Sequence, residues 1–259
     1  MILDDIYKYK ITELEEKKKL VSFEILKDRA LKMKREIRDF SNALVSSKDI
    51  SLIAEIKYAS PSEGIILERT DVEERAKIYE SAGASAISVL TDEKYFGGNL
   101  SFLHQVRVKT SIPILRKDFL CDSYHIYESY LYGADAVLLI ARMLDEDKLK
   151  TFVTLAHSLG LACLMEICSE EDLEKVLHTS ASVIGINARN LATFEFDLNI
   201  VGKLFSKIPS DKIIVAESGI YNRGDVEIAK KNCANAILVG TALMKSSGVG
   251  AKVHELLGL

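Results

Sequence analysis

Side chains that can move protons follow several short apolar runs of this sequence. Glu55 and Lys57 end the run SLIAEIK, Lys117 ends IPILRK, Glu166 lies near the end of ACLMEI, and Glu217 lies near the end of KIIVAES. Glutamates and lysines that face one another act as general acids and bases, because mutual charge and partial burial tune their pKa values. If the fold brings these residues together, the sequence predicts acid–base catalysis.

The spacing within the runs indicates that the polar groups share one face of each strand. Residues i and i+2 of a strand point the same way, so Glu55 and Lys57 project together, and Glu166 projects with Leu164. An amide, Asn187, ends a further run, SVIGIN. An unpaired charge near a protein interior costs several kcal/mol, so we expect these opposite charges to compensate one another.

The chain beyond residue 48 alternates between short apolar runs and amphipathic segments. The segments DVEERAKIYESAG and DEDKLKTFVTLAHSLG begin with an N-cap aspartate and end with a glycine typical of a helix C-terminus. Residues 1–48 carry charged runs without glycine or proline and predict helices. The apolar runs have the length of strands buried on both faces. The eight predicted strands are SLIAEIK (51–57), AISVL (86–90), IPILRK (112–117), AVLLI (136–140), ACLMEI (162–167), SVIGIN (182–187), KIIVAES (212–218) and AILVG (236–240).

Eight β-α units in roughly 210 residues predict an α/β fold, a (β/α)8 TIM barrel with an N-terminal helical extension. An open doubly wound sheet is the alternative, but it usually has fewer strands and a glycine-rich phosphate turn, and the sequence has no GxGxxG. We expect one structural domain, with residues 1–48 packed on a catalytic barrel of residues 49–259. Active sites of such barrels lie at the carboxyl ends of the strands, where the glutamates and lysines stand.

The last two predicted strands are followed by small residues that suit an anion. ESGI (217–220) contains Ser218 and Gly219, and VGTALM (239–244) contains Gly240 and Thr241. TIM barrels commonly bind phosphate there, with a short helix N-terminus adding its dipole. The alternative is that the two glycines only turn the chain.

Composition and charge exclude several classes of function. The chain has 34 basic and 38 acidic residues, without the basic excess of a nucleic-acid binder. Its four cysteines lack CxxC spacing, and its five histidines fall mainly in helical segments, where surface or capping roles fit better than a metal site. No apolar run is long enough to span a bilayer, and the N-terminus lacks the basic residues of a signal peptide. We expect a cytoplasmic protein, a monomer or weak homo-oligomer, that binds a small phosphorylated substrate but no nucleic acid, membrane or metal.

Eight motifs in order carry a resemblance to a known family. They are IAEIKYASPSEG, LTDEKYFGGNL, IPILRKDFL, GADAVLLI, LMEI, GINARNL, VAESGI and VGTALM. Together they resemble the indole-3-glycerol phosphate synthase family, over essentially the whole chain. The resemblance implies a carboxy-lyase of tryptophan biosynthesis that closes the indole ring of 1-(2-carboxyphenylamino)-1-deoxyribulose 5-phosphate, releasing carbon dioxide and water without a cofactor.

The resemblance also assigns site residues, position by position. The catalytic positions fall on Glu55, Lys57, Lys117, Glu166, Asn187 and Glu217. The substrate-binding positions fall on Ser60, Phe96, Phe119, Leu138, Arg189, Leu191 and Ser218. The phosphate-binding positions are Lys57, Gly219, Gly240 and Thr241. Two residues depart from the family pattern, because Ala188 and Thr241 stand where many members have serine.

The chemistry of ring closure suggests a role for each charged group. Lys117 is the expected acid for ring closure, and Lys57, oriented by Glu55, is the expected acid for loss of hydroxide. Glu166 is then a base or proton relay, and Arg189 holds the aromatic carboxylate.

Asn187 and Glu217 are expected to position the ribulose hydroxyls or the amine of the substrate.

Two other functions remain as alternatives. A phosphoribosylanthranilate isomerase needs a Cys and Asp pair at strand ends, where this sequence has lysines and glutamates. A silent barrel that only binds other pathway enzymes does not need Lys57, Lys117 and Glu166.

Overall fold

Eight parallel strands close into a barrel in the computed structural model, which describes residues 2–45, 49–68, 71–187, 202 and 204–259. Each barrel strand forms within one predicted apolar run, so the predicted TIM barrel is confirmed. A short antiparallel hairpin, absent from the prediction, follows the first barrel strand. The strands are β1 (Ser51–Ile56), β2 (Ala59–Ser60), β3 (Gly64–Ile65), β4 (Ala86–Leu90), β5 (Ile114–Lys117), β6 (Ala136–Ile140), β7 (Ala162–Ile167), β8 (Val183–Ile186), β9 (Ile213–Ala216) and β10 (Ala236–Val239).

The barrel order is β1-β10-β9-β8-β7-β6-β5-β4, and β1 pairs with β4 to close it. Helices pack around the barrel and at its two ends. They are α1 (Ile2–Leu20), α2 (Phe23–Lys32), α3 (Phe40–Val45), α4 (Val72–Ser81), α5 (Glu93–Phe96), α6 (Ser101–Arg107), α7 (Ser123–Leu131), α8 (Glu146–Ser158), α9 (Glu170–Leu177), α10 (Arg223–Lys231), α11 (Thr241–Met244) and α12 (Val249–Leu257), with a 3-10 turn at Ala141–Met143.

The predicted helix boundaries follow from local hydrogen bonds. Asp71 caps α4 by accepting from the backbone N–H groups of Glu73 and Glu74, and Asp145 caps α8 in the same way. Gly83 follows α4 with a φ of 103°, a backbone conformation that only glycine adopts without strain. These caps fix where each helix ends and the next strand begins.

Alternation along the strands separates two apolar layers. Ile53, Leu138 and Leu164 point into the barrel, whereas Ile56 and Leu139 pack outward against the surrounding helices. The outward and inward sets follow the period of two that a strand imposes. Apolar side chains therefore fill most of the interior, and the predicted glutamates and lysines lie at the carboxyl ends of the strands.

The N-terminal extension contacts both ends of the barrel. Helix α1 lies at the mouth, where Leu3 joins the interior cluster, and α3 inserts Phe40 and Leu44 among the small residues at the opposite end. Between α2 and α3, Arg35 and Arg38 bind Asp135 just before β6. Removing this segment would expose apolar residues at both ends of the barrel.

The histidines differ from the prediction at one position. Four of them are exposed, as expected, but His125 lies in α7 and is buried. Burial, together with the nearby Arg116 guanidinium, lowers the pKa of His125 to about 3, so the ring is neutral. All four cysteines are free thiols. Within the described ranges, no helix combines the length and the apolar character needed to cross a membrane.

Candidate active site

A pocket at the carboxyl ends of the strands collects the site residues that the sequence predicted. Its walls include every predicted position among the described residues. These are Glu55, Lys57, Ser60, Phe96, Lys117, Phe119, Leu138, Glu166, Asn187, Glu217, Ser218, Gly219, Gly240 and Thr241. Two further predicted residues, Arg189 and Leu191, lie outside the described residues, as does Ala188.

Lys117, at the end of β5, lies between two carboxylates. Its Nζ is 3.0 Å from Glu166 Oε2 and 2.9 Å from Glu217 Oε2. Glu166 lies near the carboxyl end of β7, and Glu217 directly follows β9. Together with Lys117 of β5, these residues form a cluster to which three strands contribute. Both carboxylates are nearly inaccessible to solvent, and the Lys117 side chain is partly buried, with 16% of its surface exposed. In such a setting each charge depends on the others for its stability.

The protonation of the cluster follows from this geometry. Burial alone would lower the pKa of Lys117, but Glu166, Glu217 and Glu55 together raise it above its ordinary value. Burial raises the pKa of Glu217 to about 8, with Glu166 adding to the rise and Lys117 opposing it. The Lys117 ammonium outweighs burial at Glu166 and holds the pKa of that carboxyl below its usual range. The Lys117 ammonium therefore faces two coupled carboxyl groups, of which Glu217 is protonated more readily than Glu166.

The raised pKa of Glu217 has a consequence for stability. Between the ordinary carboxyl pKa, near ~4.5, and about 8, the folded protein holds this proton while the unfolded chain releases it. The folded state then binds more protons than the unfolded state. The contribution of Glu217 to the free energy of unfolding therefore falls as the pH rises through this window.

A second ion pair lies across the pocket at the end of β1. Lys57 Nζ is 2.8 Å from Glu55 Oε1, which explains why a short apolar strand carries two charges on one face. Gly240 makes room for this pair, because a Cβ built there would lie 2.2 Å from Glu55 Oε1 and 3.2 Å from Lys57 Nζ. The absent side chain at Gly240 therefore allows the pair to sit against β10.

Asn187 connects the cluster to the neighbouring loop. Its Nδ2 donates to Glu166 Oε1 at 3.2 Å, and its Oδ1 accepts from the Ser218 hydroxyl at 2.7 Å. Among the described residues, Glu55 Oε2 and Glu217 Oε1 are buried without a hydrogen-bond partner. Buried polar atoms are rarely left unpaired, so these two oxygens mark positions where a bound molecule would form hydrogen bonds.

An apolar slot forms another wall of the pocket. It consists of Phe96, Phe119 and Leu138, joined by Leu3 and Ile6 from α1. The rings of Phe96 and Phe119 have centroids 5.8 Å apart at an interplanar angle of 41°. This surface fits a flat aromatic group, because apolar walls beside a few polar groups are typical of small-molecule sites.

An anion cradle lies at the far side, formed by Gly219, Gly240 and Thr241. Gly219 has a φ of 80°, which turns the chain after β9. Gly240 is the N-cap of α11, and its missing side chain leaves the start of this helix without a side-chain cap. Backbone N–H groups at such a turn and helix start suit a phosphate group. Lys57 adds a positive charge beside Gly240.

Sequence reasoning placed the N-terminal segment on the barrel but did not name the α1 residues that line this pocket. Leu3 and Ile6 were part of a charged helical segment, and the spacing of Leu3, Ile6 and Lys10 on one helical face was the available signal. Tyr221 and Leu90 also line the pocket without having been predicted. The part of the chain that the structure describes holds no cluster of metal-ligating side chains.

The fold and the position of the site define a class, the TIM-barrel enzymes with an active site at the carboxyl ends of the strands. A crystal structure of 3-hexulose-6-phosphate synthase aligns with a TM-score of 0.64 at 16% identity, covering 81% of this chain and 99% of that chain. A chain of the tryptophan synthase complex from Pyrococcus furiosus aligns with a TM-score of 0.61 at 18% identity, covering 81% of this chain and 98% of its own. At these identities the likeness concerns the fold alone.

Sequence comparison defines the family. The family model of indole-3-glycerol phosphate synthase matches residues 3–256. The indole-3-glycerol phosphate synthase of Endomicrobium trichonymphae is 44% identical over 257 residues, which is 99% of both chains. That of Campylobacter fetus subsp. fetus is 49% identical over 221 residues, 85% of this chain and 86% of the relative. The chain belongs to the indole-3-glycerol phosphate synthase family, which confirms the predicted family and its enzyme class, the carboxy-lyases.

Proposed function

We propose that the protein converts 1-(2-carboxyphenylamino)-1-deoxyribulose 5-phosphate into indole-3-glycerol phosphate, carbon dioxide and water, as an enzyme of tryptophan biosynthesis. The arrangement of one pocket carries the proposal. Lys117 lies between Glu166 and Glu217, and Lys57 pairs with Glu55. The same pocket contains the apolar slot and the anion cradle.

The two ends of the substrate match two parts of the pocket, the anion cradle and the apolar slot. Its phosphate occupies the anion cradle next to Lys57, and its aromatic ring occupies the apolar slot. The ribulose hydroxyls and the amine lie between them and form hydrogen bonds with the unpaired oxygens of Glu55 and Glu217. Asn187 and the hydroxyls of Ser60 and Ser218 add polar contacts for the same groups. Arg189 and Leu191 would hold the aromatic carboxylate and close the slot.

Ring closure uses Lys117 as the acid. The aromatic carbon that carries the carboxylate attacks the C2 ketone, and the ketone oxygen takes a proton from the Lys117 ammonium. Two neighbouring carboxyl groups keep Lys117 charged before the reaction. The carboxylate then leaves as carbon dioxide, and the electrons of its bond restore the aromatic ring. The product of this step carries a hydroxyl at C2.

Dehydration uses the second lysine. Lys57 donates a proton to the C2 hydroxyl, and the nitrogen lone pair expels it as water. Glu166 accepts the proton that leaves C1, which completes the indole double bond. Glu55 holds the Lys57 ammonium in place through the 2.8 Å contact. The two acids stand in separate ion pairs, which suits two proton transfers at different stages.

The direct test is to incubate the purified protein with 1-(2-carboxyphenylamino)-1-deoxyribulose 5-phosphate and to follow indole fluorescence. We expect turnover that is lost in Lys117→Met and retained in Lys18→Met, an exchange of a lysine on the outer part of α1. A structure with inorganic phosphate should place the anion against Gly219 and Gly240. No product from the folded wild-type protein would overturn the proposed reaction.

A further inference from the structure

Lys10 is a buried charge on α1, a helix whose other charged side chains are exposed or half-buried. Its side chain is 2% exposed. Its Nζ lies 2.9 Å from Glu13 Oε2 on the same helix, 3.0 Å from Asp92 Oδ2 and 2.9 Å from Asp118 Oδ1. Lysine is almost never fully buried unless it is paired. Burial alone would lower the pKa of Lys10, but the three carboxylates outweigh burial and raise it.

The two aspartates that bind Lys10 hold the aromatic residues of the apolar slot. Asp92 is the N-cap of α5 and accepts from the Tyr95 backbone N–H at 2.7 Å, and α5 ends with Phe96. Asp118 accepts from the backbone N–H of Phe119 at 2.8 Å. One ammonium therefore bridges the two loops from which the slot aromatics project.

The same helix supplies a third wall of the slot. Leu3, Ile6 and Lys10 follow one another at spacings of three and four residues, so they share a face of α1. Leu3 and Ile6 line the pocket, while Lys10 lies deeper, against the loops after β4 and β5. Lys10 is the point at which this face of α1 is tied to both loops.

Asp118 has a second cationic partner besides Lys10. Asp118 Oδ2 lies 3.0 Å from Arg116 and accepts from the Thr91 hydroxyl at 2.6 Å. Arg116 is fully buried and also pairs with Glu128. Asp118 therefore keeps one cationic partner when Lys10 is removed, whereas the Asp92 carboxylate depends on Lys10.

We propose that Lys10 is a positioning residue for substrate binding, because its ion pairs with Asp92 and Asp118 hold the three walls of the apolar slot together. This inference rests on the proposed function insofar as the slot takes the aromatic ring of the substrate. Lys10 does not reach the reacting atoms. Its removal loosens the slot, and it leaves the Lys117 cluster and the anion cradle in place.

The test compares Lys10→Met with Lys18→Met, which removes a second ion pair between α1 and the barrel at Asp122, outside the slot. We expect Lys10→Met to raise KM about tenfold with kcat within about threefold, the pattern of lost uniform binding. Inhibition by inorganic phosphate should be unchanged, because the anion cradle is untouched. Lys18→Met should keep the wild-type KM.

A double variant guards against misfolding. Lys10→Met with Asp92→Asn removes the unpaired carboxylate along with the lysine, and Asp118 keeps Arg116. We expect this variant to fold and still to show the raised KM. A folded double variant with the wild-type KM would overturn the inference. The same conclusion would follow if Lys10→Met raised KM no more than Lys18→Met does.

Hydrogen exchange separates this inference from the proposed reaction. In Lys10→Met the backbone amides near Phe96 and Phe119 and in the first two turns of α1 should exchange faster, whereas in Lys18→Met they should not. A wild-type protein without activity would refute the proposed function. In that case the hydrogen-exchange pattern would by itself decide whether Lys10 positions the walls of the slot. Equal exchange in both variants, or faster exchange without a change in the KM of an active enzyme, would refute the role of Lys10.

Discussion

Replacement of Gly185 by alanine should disrupt the cluster of Lys117, Glu166 and Glu217, although Gly185 belongs to a different strand. Gly185 lies on β8, where it pairs with Glu166 of β7 on one side and Val215 of β9 on the other. A Cβ at this position would lie 1.8 Å from Glu217 Oε1 and 2.8 Å from its Cδ. The carboxyl group of Glu217 therefore occupies the space that a side chain at residue 185 would take.

The size of the effect follows from the distances. Non-bonded carbon and oxygen atoms rarely come closer than ~3.4 Å, so Glu217 must move by roughly 1.6 Å for the methyl group to fit without strain. The 2.9 Å contact between Lys117 and Glu217 cannot survive that displacement. A misplacement of about 1 Å in a catalytic group lowers the rate about 100-fold, or about 2.7 kcal/mol. We expect kcat of Gly185→Ala to fall by about this factor.

A shortened carboxylate provides the matched test. Glu217→Asp retracts the carboxyl group by one methylene, about 1.5 Å, which removes the clash with a methyl group at residue 185. Glu217→Asp alone should lower kcat, but adding Gly185→Ala to it should lower kcat by less than about threefold. The two substitutions are then coupled by roughly 2 kcal/mol. Gly250→Ala in α12, where the nearest atoms lie 4.0 Å from the new Cβ, is the control for the same chemical change.

The assay is steady-state formation of indole-3-glycerol phosphate by each of these variants, with the fold checked by circular dichroism. Near wild-type turnover in Gly185→Ala would show that Glu217 does not need its present position. An equal loss from Gly185→Ala in both backgrounds would show that the damage lies elsewhere than in the contact with Glu217. Either result would refute the reasoning.

Three further predictions concern the lysines, the acid and the packing. Lys117→Met should lower kcat by about 100-fold or more without accumulating an intermediate, whereas Lys57→Met should accumulate a decarboxylated, hydroxylated species in rapid-quench experiments. Equal, salt-sensitive rises in KM for both variants would indicate that the lysines only attract the anionic substrate. Between pH ~4.5 and 8, the free energy of unfolding of the wild type should fall relative to that of Glu217→Gln, by at most about 1.4 kcal/mol per pH unit. Urea titrations at a series of pH values measure both free energies. A difference between the two proteins that stays constant with pH would contradict the raised pKa of Glu217. Phe40→Ala, at the end of the barrel opposite the mouth, should lower the free energy of unfolding by about 3–5 kcal/mol and leave KM unchanged. A changed KM would contradict the view that Phe40 stabilises the fold without affecting the active site.

Local patterns in the sequence determined the barrel and most of its rim. The period of two along each strand turned Glu166 and Glu217 inward, whatever the neighbouring strands contributed. Capping aspartates such as Asp71 and Asp145 set the starts of helices, because a cap depends only on the next three residues. The position of charges at the ends of apolar runs was enough to predict where the site lies.

Only the tertiary structure decided which charges meet and which are buried. Lys10 and Ile6 belong to a segment that the sequence predicted only as helices packed on the barrel, and residues more than eighty positions away enclose Lys10. Gly185 is significant only because Glu217, which follows the neighbouring strand β9, fills the space beside it. His125 is buried because its helix packs over Arg116. Such properties depend on contacts between distant parts of the chain, and the local pattern around a residue carries no information about them.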